Sequence, residues 1–261
     1  MGERLPSAIC VRRRRQMERG ADAVAVTTRT QAEEARHVIG NCVLFCDLDA
    51  KERNFLFARV RVRSYAAGEI IFLMGSAGDS LMAVVSGSVR ISVPSPDGKE
   101  IVLAILQPME VFGEMALLDG KERTADAKAI GACTVAVLDR RDVLAFLNDN
   151  RKVRSKLVEL LCARLRNTDQ HISEIALFEL PTRLAKALLR LASAQGRKTK
   201  GRMLQVQLSQ RELGNICGAS REGINKCLGA WQHRGIVQIE DGVIVVTNHS
   251  ALKELASLPE I

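Results

Sequence analysis

Aromatic residues are scarce in this 261-residue chain. They make up 3% of it, and Trp231 and Tyr65 are each the single residue of their kind. Any core must therefore be packed from Val, Ile, Leu and Ala. The hydrophobic share of 47% is enough for real cores and excludes disorder of the whole chain. No apolar run approaches the roughly 18 residues of a membrane span. Arg12–Arg15 are not followed by the apolar stretch and cleavage site of an export signal. The expectation is a cytoplasmic protein without a membrane partner, whose seven cysteines are reduced thiols. The one close pair, Cys42 and Cys46, departs from the C-x-x-C spacing of a metal knuckle, so no metal site is expected. Also missing are G-x-S-x-G and a phosphate loop ending in Gly-Lys-Ser/Thr. His37, His171, His233 and His249 are scattered. No catalytic residue is assigned, and the chain is not read as an enzyme.

Acidic residues are the minority charge. The formal net charge is +8 and the pI about 9.3, which favours an anionic partner: DNA, RNA or an acidic membrane surface. The length allows two modest domains.

Residues 1–30 read as a flexible basic extension, in which Met17 is a second possible start. From Gln31 to Val62 the pattern is helical, with Val38, Leu44, Leu48, Phe55 and Leu56 among charges. From Tyr65 to Leu138 short apolar runs alternate with glycine turns. Ala83–Val85, Val89–Val93 and Ile101–Ile105 read as strands, and Asp97-Gly98 as a hairpin turn. Many short strands predict an antiparallel roll. From Arg141 to Phe178 the helical period returns, with Val153, Leu157, Leu160, Leu161, Leu165, Ile172, Ile175 and Ala176 along one seam. Such a seam packs either on its own β-domain or on a two-fold partner helix, and the partner is favoured. Pro181 disfavours helix at Leu180, so Phe178–Thr182 reads as a hinge, with a further helix over Arg183–Ala194 and a basic loop over Gln195–Arg202. The division is 1–30 extension, 31–147 roll with flanking helices, 148–178 central dimerisation helix and 179–261 C-terminal module. The fold class is α+β.

The C-terminal module carries the sharper pattern. Ser209-x-x-Glu212 is a capping box, Leu213 and Ile216 point inward, and Gly218 suits a left-handed helix end. Ser220 caps a second helix that buries Ile224, Cys227 and Leu228, while Gly214 lies where two helices approach closely. This is a helix-turn-helix. Its second helix presents Arg221, Glu222, Asn225 and Lys226, groups that pair with base edges in the major groove. Ile236–Ile239 and Val243–Val246 around Glu240-Asp241-Gly242 form a wing. From residue 178 onward there are twelve basic and seven acidic residues, a balance suited to phosphates.

The densest run is Phe112-Gly113-Glu114-Met115-Ala116-Leu117-Leu118, followed by Arg123-Thr124-Ala125. A glycine turning into a short helix offers backbone N–H groups to an anion, Glu114 accepts from sugar hydroxyls, and Arg123 pairs with a phosphate. Together they grip a ribose phosphate. This run resembles the cyclic-nucleotide-binding domain. The long helix, the hinge and the run Leu208–Gly214 with Gly218–Glu222 resemble the Crp/Fnr superfamily of transcription regulators, of the cyclic-AMP receptor type, over roughly residues 40–250.

The resemblance implies a β-roll sensor, a dimerising helix and a winged DNA reader in a homodimer, with RNA polymerase as a further partner. Carried over by position, Glu114 meets the ribose 2′-hydroxyl and Arg123 the cyclic phosphate. Thr124 and Gly113 complete the phosphate clamp beside Met115, Ala116 and Ala125, and Leu103 packs on the base. Thr168 and Asp169 meet the purine amino edge. Ser209, Gln210 and Ser220 match DNA phosphate contacts, and Arg221, Glu222 and Lys226 match base readers. No cofactor is implied beyond the allosteric ligand. Cyclic AMP is favoured because Asp169 accepts from an amine and repels a carbonyl, whereas Thr124 resembles the cGMP-selective members. The alternative is a regulator on the same scaffold that senses cGMP or an iron–sulfur or redox signal, or that acts without ligand. Met109 replaces a glycine common in the family, and Gly223 sits inside the reading helix at a cost of about 1 kcal/mol relative to Ala.

Overall fold

The computed structural model describes residues 29–95, 100–195, 204–206, 208–240 and 243–257. Residues 1–28 of the basic extension, the Asp97-Gly98 turn, most of the 195–202 loop and the Asp241-Gly242 wing tip lie outside them, while Arg29 and Thr30 begin a helix. The chain divides into two compact units. One runs to Pro94 and resumes over Leu103–Cys162; the other takes Ser95–Val102 and Ala163 onward.

The first unit is built on two four-stranded sheets. One has the order β1 (Arg61–Tyr65), β8 (Cys133–Asp139), β3 (Ser80–Ser86), β6 (Val111–Phe112). The other has the order β2 (Ile70–Phe72), β7 (Asp126–Ala129), β4 (Val89–Pro94), β5 (Glu100–Leu106). The pairs β1–β8, β3–β8, β3–β6, β2–β7 and β4–β7 are antiparallel. Strand β3 is apolar on both faces, and the period of two explains it. Leu81, Ala83 and Val85 join a core shared with Val38, Ile39, Phe45 and Leu56 of the flanking helices. Met82 and Val84 join a second core with Phe72, Phe112 and Val135. Aliphatic side chains supply most of both, as expected, but Phe45 and Phe146 enter the first and Phe72 and Phe112 the second.

Four helices and part of a fifth flank these sheets: α1 (Arg29–Asn41), α2 (Ala50–Phe57), α3 (Glu114–Asp119), α4 (Arg140–Asp149) and the long α5 (Arg151–Leu177). Two expectations need correction. Helix does not extend through 31–62: Asp49 and Glu52 form a capping box that starts α2 afresh, and Val62 lies in β1, paired with Ala136. The helix expected from Arg141 is also interrupted. Asn150 takes an extended conformation, accepts from Val153 N–H through its side chain at 3.1 Å, and donates to Glu52 Oε1 at 2.6 Å. It thereby caps α5 and ties it to α2.

The apolar seam of α5 divides. Val153 and Leu157 are buried in the first unit's core, with Leu160 packed against it. Val158, Leu165 and Ile172, seven residues apart, stay 59%, 62% and 60% exposed.

Met109 has φ 74°, the one non-glycine positive φ among the described residues. Its turn is pinned by Met109 N–H to Val84 O at 2.9 Å and Val84 N–H to Glu110 O at 3.0 Å. A left-handed conformation costs an ordinary residue about 1–2 kcal/mol, partly offset in glycine by its freer unfolded chain. Met109→Gly is therefore expected to be more stable than Met109→Ala by about 0.5–1 kcal/mol, the reverse of the usual order. Thermal unfolding of the two variants checks this; equal midpoints would mean that the turn relaxes when the side chain is trimmed.

The second unit holds α6 (Leu180–Gln195), β9 (Leu204–Val206), α7 (Gln210–Cys217), α8 (Arg221–His233), β10 (Val237–Glu240), β11 (Val243–Val246) and α9 (His249–Ser257). Phe178 and Glu179 separate α5 from α6, in keeping with the proline, but α6 begins at Leu180 rather than Arg183. Pro181 falls in the first turn, where its missing N–H has no intrahelical partner to lose. The wing hairpin β10–β11 gains a third strand unforeseen from sequence, with Leu204, Gln205 and Val206 opposite Val246, Val245 and Ile244.

Candidate functional site

Arg123 is the centre of the first site. It is 4% exposed. Its Nη1 donates to Gly113 O at 2.7 Å, and its Nη2 donates to Ser80 O at 2.9 Å and Ser80 Oγ at 3.1 Å. The guanidinium lies over the Phe72 ring, 4.4 Å from its centroid, and its Nε–H finds no acceptor among the described residues. Burial lowers its pKa from the ordinary value, against the opposing charges of Asp79 and Glu114. The group is a fixed cation with two N–H donors left over, at Nε and at Nη1.

Gly113 explains why a glycine opens the motif. Its φ is +82°, and an added Cβ would lie 2.5 Å from Arg123 Nη1 and 3.1 Å from Ser80 O. Both the left-handed turn and the close approach of the guanidinium need a bare Cα. Glu114 begins α3 and is 2% exposed, bordering an apolar space formed by Leu44, Phe45, Leu81 and Leu117. Ala116 and Ala125 are buried; Met115 and Thr124 are exposed, with Thr124 Oγ1 4.0 Å from Met115 Sδ. Leu103, on β5, is 53% exposed. The runs Gly113–Ala116 and Arg123–Ala125 meet at Arg123 with Gly113 and at Thr124 with Met115. Thr168 and Asp169 are exposed on the part of α5 that belongs to the second unit, where Thr168 Oγ1 donates to Arg164 O at 3.0 Å. Sequence reasoning missed Ser80 and Phe72, which hold Arg123 in place.

The second site is the helix-turn-helix. Ser209 and Glu212 form the expected capping box. Gly218 has φ +60°. A Cβ on Gly214 would lie 2.7 Å from Ala219 O, so the turn between the helices leaves no room there. Ser220 Oγ accepts from Gly223 N–H at 3.1 Å. Ile224, Leu228 and Trp231 are buried, while Arg221, Glu222, Asn225 and Lys226 are exposed on the other face. Ser209 is exposed and Gln210 half-buried. Gly223 has a packing reason: an added Cβ would stand 2.9 Å from Leu180 Cδ2.

Three of the cysteines are buried and unreactive. Burial pushes Cys42 and Cys133 up to about 11 and Cys217 up to about 12, so these three are protonated thiols. Among the described residues no group of three His, Cys, Asp or Glu side chains could hold a metal ion, and no helix is long and apolar enough to cross a membrane.

Known families match both sites. The cyclic nucleotide-binding domain matches residues 62–150, and the Crp-like helix-turn-helix domain matches residues 182–255. The chain is 32% identical over 193 residues to a CRP-like cAMP-activated global transcriptional regulator of Mycobacterium tuberculosis, covering 74% of this chain and 86% of that one. It is 35% identical over 213 residues to the cyclic AMP receptor protein of Thermus thermophilus, covering 82% and 96%. A solved CRP/FNR-family transcriptional regulator, also from Thermus thermophilus, has a TM-score of 0.67 at 26% identity, over 77% of this chain and 100% of that one. The chain belongs to the Crp/Fnr family of cyclic-nucleotide-binding transcription regulators.

Proposed function

We propose that the protein is a homodimer that senses cyclic AMP in residues 31–147, pairs through the central helix 148–178, and reads a specific DNA site with residues 179–261. The buried cation Arg123, with an Nε–H left over, carries the reading, because a desolvated phosphate is what such a group satisfies. Gly113 and Thr124 flank it as the rest of the clamp, and Glu114 is the partner for the ribose. The exposed Leu103 and the exposed Thr168 and Asp169 are the groups that take the base. Asp169 favours the adenine amine over a guanine carbonyl, and both relatives above carry cyclic AMP in their names. The exposed Thr124 hydroxyl is the feature that favours cGMP. The exposed stripe Val158, Leu165 and Ile172 supports pairing, since heptad spacing on a polar helix is the pattern of a helix–helix seam. RNA polymerase is the further partner of such a regulator.

A ligand moves the DNA-binding modules only through unequal affinity for two arrangements of the chain. Saturating cyclic AMP should therefore raise affinity for a DNA site chosen by binding-site selection, by about 5- to 150-fold. Fluorescence anisotropy with and without cyclic AMP reads this, and sedimentation of the same samples reads the dimer. Equal affinities in both conditions, or a response to cGMP alone, would overturn the ligand assignment; a monomer at micromolar concentration would overturn the pairing.

A further inference from the structure

Within the runs Phe112–Leu118 and Arg123–Ala125, Met115 and Thr124 are the exposed residues. Each stands between buried neighbours: Glu114 and Ala116 on one side, Arg123 and Ala125 on the other. Both backbones are held. Helix α3 is tied towards its far end by Arg140 Nε, which donates to Leu117 O at 2.6 Å. The helix also lies hard against Gly78, where an added Cβ would stand 2.1 Å from Ala116 Cβ. In the facing run, Arg123 N–H donates to Ser76 O and Gly75 N–H donates to Arg123 O, each at 2.8 Å. The β-branched Thr124 side chain has few rotamers open to it. Its Oγ1 is 4.0 Å from Met115 Sδ, so the thioether rests against the hydroxyl in van der Waals contact.

We propose that Met115 sets nucleotide selectivity by covering the Thr124 hydroxyl, the group that would otherwise recognise guanine. The inference rests on the proposed cyclic nucleotide site at Glu114 and Arg123. Met115 and Thr124 directly follow those two residues in the chain, and so stand beside the ligand. A hydroxyl oxygen has two lone pairs and can accept from the guanine 2-amino group. Adenine carries only a hydrogen at that ring position and gains nothing from the hydroxyl. An approaching guanine amine must first move the thioether aside. Methionine is unbranched, with three rotatable bonds, so the cover is displaceable, at a cost in lost contact and in ordering. The cover therefore offsets about one hydrogen bond, worth about 2- to 12-fold in affinity, and does not exclude cGMP outright. It acts in the same direction as Asp169. The two opposed signals, Thr124 for guanine and Asp169 for adenine, thereby become unequal.

Isothermal titration of the full-length protein with cyclic AMP, cGMP and cyclic inosine monophosphate tests this. The inosine compound is cGMP without its 2-amino group. Met115→Ala should raise affinity for cGMP relative to cyclic AMP by about 2- to 12-fold, and affinity for the inosine compound much less. Thr124→Ala should lower the cGMP-to-cyclic AMP ratio more in the Met115→Ala background than in the wild type. Met115→Leu refills the space and should bring the ratio back towards that of the wild type. A ratio unmoved by Met115→Ala would overturn the inference. So would a gain shared equally by the inosine compound, or one that survives Thr124→Ala. A wild-type protein that binds none of the three nucleotides is a different failure: it removes the pocket reading itself, and this inference with it.

Discussion

Arg123→Ala is expected to weaken cyclic nucleotide binding by about 2–5 kcal/mol, roughly 30- to 5,000-fold. The size follows from the setting. A guanidinium that is 4% exposed offers a phosphate a charge little screened by water, on a fork already held by Ser80, Gly113 O and the Phe72 face. Little ordering remains to be done when the ligand arrives. The same change strips Ser80 and Gly113 O of a donor, so the folded domain should lose some stability as well. Arg123→Lys separates the two effects: it keeps a point charge and loses the planar fork. It should recover part of the affinity and not all of it. Isothermal titration with cyclic AMP, run beside thermal unfolding, measures both. Unchanged affinity in folded Arg123→Ala would place the ligand elsewhere.

The helix-turn-helix was legible because its signals are local. Ser209 and Glu212, Gly218, and Ser220 with Gly223 all act within four residues of chain, and they produce the same caps wherever the sequence occurs. Gly113 was legible for a similar reason, as a turn residue before a helix. What stayed hidden depends on partners far along the chain. Strand β1, Arg-Val-Arg-Ser-Tyr, is half-exposed and charged, and only its full register with β8, about 70 residues on, makes it a strand. Strand β9 is three residues long and exists through β11. The start of α5 at Asn150 carries neither proline nor glycine; its extended backbone is held by a side-chain cap and by Glu52, 98 residues earlier. Ser80 lies 43 residues from Arg123, and Glu174 meets Arg190 across a helix break. No periodicity encodes such pairings. The seam of α5 shows the limit most clearly: one apolar stripe reads as continuous, yet its first half is claimed by the first unit's own core.

Arg221→Ala is expected to cost about 1–3 kcal/mol in binding to the preferred DNA site and to relax preference at one base pair. Arg221 is the first residue of α8, and the first turn of a recognition helix is the part that reaches base edges in the major groove. It is exposed, and the caps at Ser209 and Ser220 do not involve it, so removing its side chain leaves the fold intact. The bidentate fork suits guanine O6 and N7. Ser209, Gln210 and Ser220 stand at the helix starts and are assigned to phosphates, so their loss should weaken all sequences alike. Salt dependence decides to which class Arg221 belongs. Removing a cationic phosphate contact flattens the slope of log affinity against log salt by about one, whereas removing a base reader chiefly lowers the ratio of specific to non-specific binding. Binding-site selection on wild type and Arg221→Ala, with titrations at two salt concentrations, gives both quantities. An unchanged base preference with a flattened slope would move Arg221 to the phosphates and leave Glu222, Asn225 and Lys226 as the readers.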